Sequence, residues 1–82
     1  MSGTRERVIR IISEALRLDA DDRAILESDS DNQHLPKWNS LGHVEIIIAL
    51  EDEFGIEIEF DWIARLNHVR KIVEYIESRA PS

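Results

Sequence analysis

The sequence contains no cysteine, two prolines, three glycines and no long uninterrupted run of apolar residues. The absence of cysteine excludes disulfides, thiolate nucleophiles and cysteine-based metal sites, and it is compatible with a reducing compartment. No apolar run is long enough for a signal peptide or for a membrane-spanning helix. We therefore expect a cytoplasmic protein that does not act in a membrane.

The chain is also short, and its 82 residues correspond to one domain over 1–82. A domain of this size buries roughly 60–65% of its unfolded surface, which leaves a thin core and no room for a large catalytic cleft. The three histidines lack helical metal-ligand spacing. The acidic segment that begins at Asp29 lacks the central glycine and the final glutamate of an EF-hand. We expect no metal site, no catalytic residue and no enzyme activity.

Lysine and arginine are missing from Asn39 to Asp61, a segment that holds seven acids. The rest of the chain holds ten acids and ten lysines or arginines, so the formal net charge of -7 arises within this segment. A nucleic-acid-binding surface would need the opposite sign of charge. The acidic segment instead favours basic protein partners. The alternative is that these acids only form a solvated helix face.

Hydrophobic periodicity predicts an all-α bundle of three main helices plus one short helix, with a long loop between the first two main helices. The predicted ranges are helix 4–18, loop 19–38, helix 40–54, short helix 60–66 and helix 68–79. Thr4 is a candidate N-cap for the first helix. The loop is rich in turn-forming Asp, Ser and Asn residues, with Leu35 and Trp38 as apolar anchors, and Ala24, Ile25 and Leu26 are compatible with one short helical turn within it. Loops of this length are usually functional or disordered.

The predicted helix 40–54 is apolar on more than one face. Ile46, Leu50 and Phe54 form an i, i+4, i+8 stripe that we expect to face the core. The apolar residues outside this stripe are Val44, Ile47 and Ile48. A helix with so much apolar surface is either buried on several sides or contacts a partner.

Ser40 lies at the N terminus of this helix, directly after the long loop. Asn39 or Ser40 can cap the helix, which is a common role for either residue. A helix N terminus also presents unpaired N–H groups and a positive dipole end, so Ser40 is a physically suitable site for a phosphate ester. A dyad of Ser40 and His43 is conceivable at one-turn spacing. Hydrolysis would also need an orienting carboxylate and an oxyanion hole, and the predicted bundle offers no evident place for them.

The segment from Trp38 to Ile58, WNSLGHVEIIIALEDEFGIEI, resembles the second helix and the following loop of acyl carrier proteins. The family signature Asp-Ser-Leu stands here as Asn39-Ser40-Leu41, and the similarity continues into the last helix. The resemblance implies that a phosphopantetheinyl transferase attaches 4'-phosphopantetheine from coenzyme A to Ser40. It further implies that the thiol of this arm carries acyl groups as thioesters in fatty-acid, polyketide or related specialised biosynthesis.

The resemblance also implies roles for other positions. Acyl-loading and acyl-processing enzymes with basic docking patches are expected to bind the second main helix, and we expect the carrier to be a monomer. The implied partner-binding positions are Val44, Glu45, Ile48, Glu51 and Asp52. The implied acyl-pocket positions are Ile46, Leu50, Ile58, Ile63 and Leu66.

Two departures from the family pattern leave an alternative function open. Asn39 replaces the aspartate of the signature and so lacks a charge that, by the resemblance, the transferase is expected to read. After Ile58, where the family usually has proline and acids, the chain carries Phe60 and Trp62. These aromatic residues either narrow the acyl pocket, make a pathway-specific contact or fill a thin core. The alternative is a carrier-like protein-interaction module in which Ser40 stays unmodified.

Overall fold

A computed structural model describes residues 3–28 and 35–79 of the chain. These ranges form helices α1 (Gly3–Leu16), α2 (Ala20–Glu27), α3 (Ser40–Phe54), α4 (Phe60–Ile63) and α5 (Val69–Arg79). The fold is the all-α bundle that the periodicity predicted, in which α1 packs against α2, α3 and α5. The acidic loop residues 29–34 lie outside the described ranges. In the described part of the chain, no helix has both the length and the apolar character needed to cross a membrane.

The core lies where the three long helices meet. Each helix contributes side chains at helical spacing that are almost fully buried: Val8 and Ile12 from α1, Ile46 and Leu50 from α3, and Ile72 and Ile76 from α5. Burial of each such side chain stabilises the fold by about 1.5–3 kcal/mol. The predicted loop anchors Leu35 and Trp38 are also buried in this core. The connection that leads into α3 is therefore held in place by packing.

Helix α2 is the largest difference from the sequence prediction, because it lies within the range 19–38 that was predicted as loop. Asp19 caps this helix, and its Oδ1 accepts a hydrogen bond from the backbone N–H of Asp22 over 2.8 Å. The first-turn acids, which we expected to form turns, complement the positive end of the helix dipole. Leu26 is fully buried and packs the short helix onto the core. The prediction of a loop with one short helical turn over residues 24–26 was therefore wrong over Ala20–Glu27, where the helix is longer.

The ends of α1 also differ from the predicted range. The helix begins one residue before Thr4, so Thr4 lies in the first turn and is not the N-cap. It ends at Leu16 because Arg17 adopts a left-handed conformation with φ of 56°. The N–H of Leu18 then donates to the carbonyl of Ser13 over 2.9 Å, which satisfies one of the last carbonyls of the helix.

The predicted end of the fourth helix and the predicted start of the fifth also differ from the structure. Helix α4 ends at Ile63, before the predicted end at residue 66. Helix α5 begins at Val69, and His68 precedes it as a cap. The carbonyl of His68 accepts from the N–H of Ile72 over 3.0 Å, and its Nδ1 accepts from the N–H of Arg70 over 3.1 Å. His68 therefore satisfies backbone groups at the N terminus of α5.

Helix α3 occupies the predicted range 40–54 and ends at Gly55, whose φ of 63° is left-handed. Of the stripe that we expected to face the core, Ile46 and Leu50 are fully buried. Phe54 is only half-buried, and the guanidinium of Arg7 lies 4.5 Å from the centre of its ring. Phe54 still packs against the core cluster, and Ile47 is buried as well. The buried face of α3 is thus wider than the simple i, i+4, i+8 stripe.

Candidate functional site

Ser40 is the first residue of α3, and its side chain is exposed. The structure resolves which residue caps the helix, because Oδ1 of Asn39 accepts a hydrogen bond from the N–H of Gly42 over 2.9 Å. The Ser40 hydroxyl is not needed as a cap, and within the described residues no hydrogen bond engages it. An uncommitted hydroxyl at the positive end of a helix is well placed to become a phosphate ester.

Gly42 allows the preceding loop to lie close to the first turn of α3. A Cβ atom at this position would collide with the backbone carbonyl of Lys37 and with Cδ2 of Leu16. The loop and the end of α1 therefore pack directly against the glycine. This contact fixes the position of Asn39, and with it the position of Ser40, relative to the core.

The imidazole of His43 connects three elements beside Ser40. Trp38 Nε1–H donates to Nδ1 of His43 over 2.9 Å, so Nδ1 is the acceptor and Nε2 carries the ring proton. That Nε2–H group donates to the carbonyl of Ile63, which joins α3 to α4. The rings of Trp38 and His43 are inclined at only 22°, with centroids 6.2 Å apart, as expected for rings joined edge to edge by their hydrogen bond.

These contacts give His43 a structural role. Both of its ring nitrogens are engaged, so neither is available as the base of a dyad with Ser40. Sequence reasoning treated Trp38 only as an apolar anchor and missed its hydrogen bond to His43. The signal was present in the segment WNSLGH, where a Trp indole N–H and a His acceptor flank the capping residue.

A groove of about 490 Å³, which we call the Ser40 groove, opens beside the serine. Its lining consists of Trp38, Asn39, Ser40, His43, Ile63, Ala64 and Asn67. The lining begins at the N terminus of α3 and extends to the connection between α4 and α5. A linear group attached to the Ser40 hydroxyl can therefore lie along the surface of the domain in this groove.

Helix α3 also presents an exposed face downstream of Ser40. Leu41, Val44 and Ile48 are 71%, 49% and 60% exposed, and Glu45 and Asp52 are exposed as well. The two acids are seven positions apart, which places them on nearly the same side of the helix. We call these five residues the α3 face. Apolar side chains flanked by acids are typical of a surface that binds basic protein partners.

Glu51 has different surroundings from the two acids of the α3 face. Its side chain is half-buried, and Oε2 accepts a hydrogen bond from the backbone N–H of Ile58 over 2.8 Å. A carboxylate acceptor makes this a charge-assisted bond, which holds the loop between α3 and α4 against the helix. Glu51 was predicted to contact partners, whereas in the structure its carboxylate is engaged within the chain.

The five positions implied to line an acyl pocket fall into two groups. Ile46, Leu50, Ile58 and Leu66 are buried in the core. Ile63 is half-buried and lies in the lining of the Ser40 groove. The structure therefore brings Ile63 next to Ser40 and places the other four positions away from that groove.

Comparison with known proteins defines the family. Residues 6–76 match the family model described as a phosphopantetheine attachment site. The chain is 35% identical to the acyl carrier protein of Zymomonas mobilis over 77 residues, which cover 94% of this chain and 95% of that protein. It is 34% identical over 74 residues to the acyl carrier protein of Rickettsia typhi, covering 90% of this chain and 83% of the relative.

A third relative is acyl carrier protein 2 of Pseudomonas aeruginosa, which is 41% identical over 54 residues, covering 66% of this chain and 68% of the relative. The chain therefore belongs to the family of phosphopantetheine-attachment domains, and within it to the acyl carrier proteins. The resemblance drawn from the segment around Ser40 is confirmed by these matches.

Proposed function

We propose that Ser40 is the attachment residue and that the chain carries acyl groups as thioesters on a 4'-phosphopantetheine arm. The observation that carries this proposal is the exposed, uncommitted hydroxyl of Ser40 at the N terminus of α3, within the matched range 6–76. When attached, the arm supplies the terminal thiol that a chain without cysteine lacks. The cargo belongs to fatty-acid, polyketide or related specialised biosynthesis.

The chain contributes position and accessibility to this role. Asn39 takes over the capping of α3 and leaves the Ser40 hydroxyl to react. Gly42 and the contacts of His43 hold the loop and the first turn of α3 in one arrangement. The positive end of α3 stabilises the negative charge of a phosphodiester at Ser40. The chain needs no catalytic residue of its own, because the transferase and the processing enzymes supply the chemistry.

The α3 face is proposed to bind the transferase and the acyl-loading and acyl-processing enzymes. Leu41, Val44 and Ile48 offer apolar contacts, and Glu45 and Asp52 attract basic docking patches. Glu51 was implied as a partner-binding position, but its bond to the loop makes it a poor candidate for that role.

The aspartate of the family signature can both cap the helix and carry a negative charge, whereas Asn39 only caps the helix. Its side-chain oxygen keeps the hydrogen bond to the N–H of Gly42, but it carries no charge. An aspartate at this position can accept the same hydrogen bond, so Asn39→Asp adds a charge without removing the cap. If the transferase reads this charge, Asn39→Asp should be modified faster than the wild type. An equal rate would show that the transferase does not depend on it.

Intact-mass spectrometry tests the central proposal. The full chain is incubated with coenzyme A and a broad-specificity phosphopantetheinyl transferase, and the wild type should gain the mass of one phosphopantetheine group. Ser40→Ala should gain no mass. Ser78→Ala, which removes a hydroxyl from α5 that donates to the carbonyl of Tyr75, should be modified like the wild type. If the wild type gains no mass with several transferases, a protein-interaction module with unmodified Ser40 replaces the carrier.

A further inference from the structure

A second groove of about 600 Å³ adjoins the Ser40 groove at Asn67, which lies in the lining of both. We call it the α5 groove, because one of its walls is a face of α5 and the other is the α4 region with the connection that follows. The core positions Ile46, Leu50 and Ile58 line neither groove. The two grooves together form a route along the surface of the domain that begins at Ser40.

The floor of the α5 groove is apolar and aromatic. Leu66 and Tyr75 are buried beneath it, and Trp62 is half-buried. The rings of Trp62 and Tyr75 are in contact, with centroids 5.2 Å apart and planes inclined at 49°. The hydroxyl of Tyr75 accepts a hydrogen bond from the N–H of Glu59 over 3.4 Å. The floor is therefore a preformed surface that can bind methylene groups or a ring.

The rim of the α5 groove is basic, although the chain has a net charge of -7. The guanidinium of Arg65 lies 5.4 Å from the centre of the Trp62 ring, and Nζ of Lys71 donates to Oδ1 of Asn67 over 3.5 Å. Neither cation is paired with an acid in the described part of the chain. The remaining charged lining residues are Arg79, which pairs with Glu59 over 3.3 Å, and Glu74. The rim therefore has a net positive charge.

We infer that the α5 groove holds the distal end of the acyl group and that this acyl group ends in a carboxylate. The inference rests on the proposed function, because the cargo reaches the groove from an arm on Ser40. The apolar floor contacts the carbon chain of the cargo, and Arg65 and Lys71 bind the terminal carboxylate through charge-assisted hydrogen bonds. The cargo then lies along the surface and not among the buried positions of the core.

Two cargoes of equal length test this inference. The full chain is loaded by a transferase from adipyl-coenzyme A or from hexanoyl-coenzyme A, and loading is verified by intact mass. The adipyl form should shift the indole N–H resonance of Trp62 in NMR spectra, whereas the hexanoyl form should shift it much less. The adipyl form should also melt roughly 2–6 °C higher than the hexanoyl form, as expected for one or two exposed ion pairs in a small domain.

A variant without the two rim cations tests whether they cause the difference between the adipyl and hexanoyl forms. The double variant Arg65→Gln, Lys71→Gln should lose the difference between the two cargoes. Arg23→Gln removes an exposed cation on α2, paired with Glu27 and outside the groove lining, and it should retain the difference.

The outcomes separate the inference from the proposed function. Absence of any mass gain overturns both. Successful loading with the same Trp62 resonance and the same melting temperature for the two cargoes overturns the inference alone. A response to adipyl confined to the methyl resonances of Ile46, Leu50 and Ile58 also overturns it, because the cargo would then lie in the core.

Discussion

Oε2 of Glu51 accepts a hydrogen bond from the backbone N–H of Ile58 over 2.8 Å and thereby ties the loop before α4 to α3. This bond distinguishes Glu51 from the two acids of the α3 face. Glu45 and Asp52 point to solvent and have no such partner in the described ranges, whereas Glu51 is half-buried and engaged. Substitution of Glu51 therefore tests the fold, and substitution of the other two tests binding.

Glu51→Ala should lower the free energy of unfolding by about 1–2 kcal/mol, because it leaves the Ile58 N–H without its acceptor. Glu51→Gln retains an acceptor oxygen and should be less destabilised than the alanine variant. Thermal unfolding followed by circular dichroism measures both. Glu45→Ala is the control at an exposed position, with an expected change within about 0.5 kcal/mol. Equal melting temperatures for Glu51→Ala and Glu45→Ala would show that the bond does not stabilise the fold.

Gly42→Ala should lower the free energy of unfolding by about 1–3 kcal/mol, because the added methyl group overpacks the contact with Lys37 and Leu16. Gly3→Ala is the matched control, since a Cβ at Gly3 would meet nothing within 4 Å. Denaturant titration of both variants provides the comparison. A Gly42→Ala variant as stable as Gly3→Ala would mean that the loop before α3 moves to make room for the methyl group with no loss in the free energy of unfolding.

His43→Ala should lower the free energy of unfolding by about 2–4 kcal/mol. The substitution removes the acceptor for the buried indole N–H of Trp38 and the donor for the carbonyl of Ile63. Val44→Ala truncates the next residue, which is exposed, and should be close to wild type in denaturant titrations. Similar stabilities for the two variants would contradict the structural role of His43.

Ser13→Ala should stabilise the protein. The Ser13 side chain is buried in α1, and its Oγ has no hydrogen-bond partner within the described residues. Replacement by alanine removes an unsatisfied buried hydroxyl and adds helix propensity, for a gain of about 0.5–2 kcal/mol. Ser78→Ala, whose hydroxyl is hydrogen-bonded to Tyr75, should show no such gain in melting temperature. A lower melting temperature for Ser13→Ala than for the wild type would show that the Ser13 hydroxyl is hydrogen-bonded in solution.

Local signals were sufficient to predict α3 and the exposed serine at its start. A capping residue, apolar helical spacing and the stop at Gly55 all lie within the segment itself. Helix α2 was missed because it has only eight residues, and a helix this short depends on tertiary packing, here the burial of Leu26.

The role of Glu51 could not be predicted for a related reason. Its partner is the backbone N–H of Ile58, and the position of that group depends on how the loop folds back on α3. The spacing of charges along a helix indicates which acids share a face, but it does not show which of them are engaged by the chain.

The α3 face leads to the last prediction, which concerns partner recognition. Exposed ion pairs contribute only ~0.2–1 kcal/mol each, so the acids of this face should act mainly on the rate of association and should do so most strongly at low salt. The double variant Glu45→Lys, Asp52→Lys should therefore slow arm transfer roughly tenfold or more at low ionic strength, with a native circular-dichroism spectrum. Ile48→Ala should weaken binding of the transferase with little loss of stability, because Ile48 is 60% exposed.

A control with the same change in net charge makes this test specific. Glu14→Lys, Glu77→Lys reverses two exposed acids on α1 and α5, and it should leave the transfer rate close to that of the wild type. The measurement is the initial rate of phosphopantetheine transfer against salt concentration for the wild type and both double variants. If both variants are slowed equally, the overall charge governs association. If neither is slowed, or if the wild-type rate does not change with salt, the transferase does not bind the α3 face through its acids.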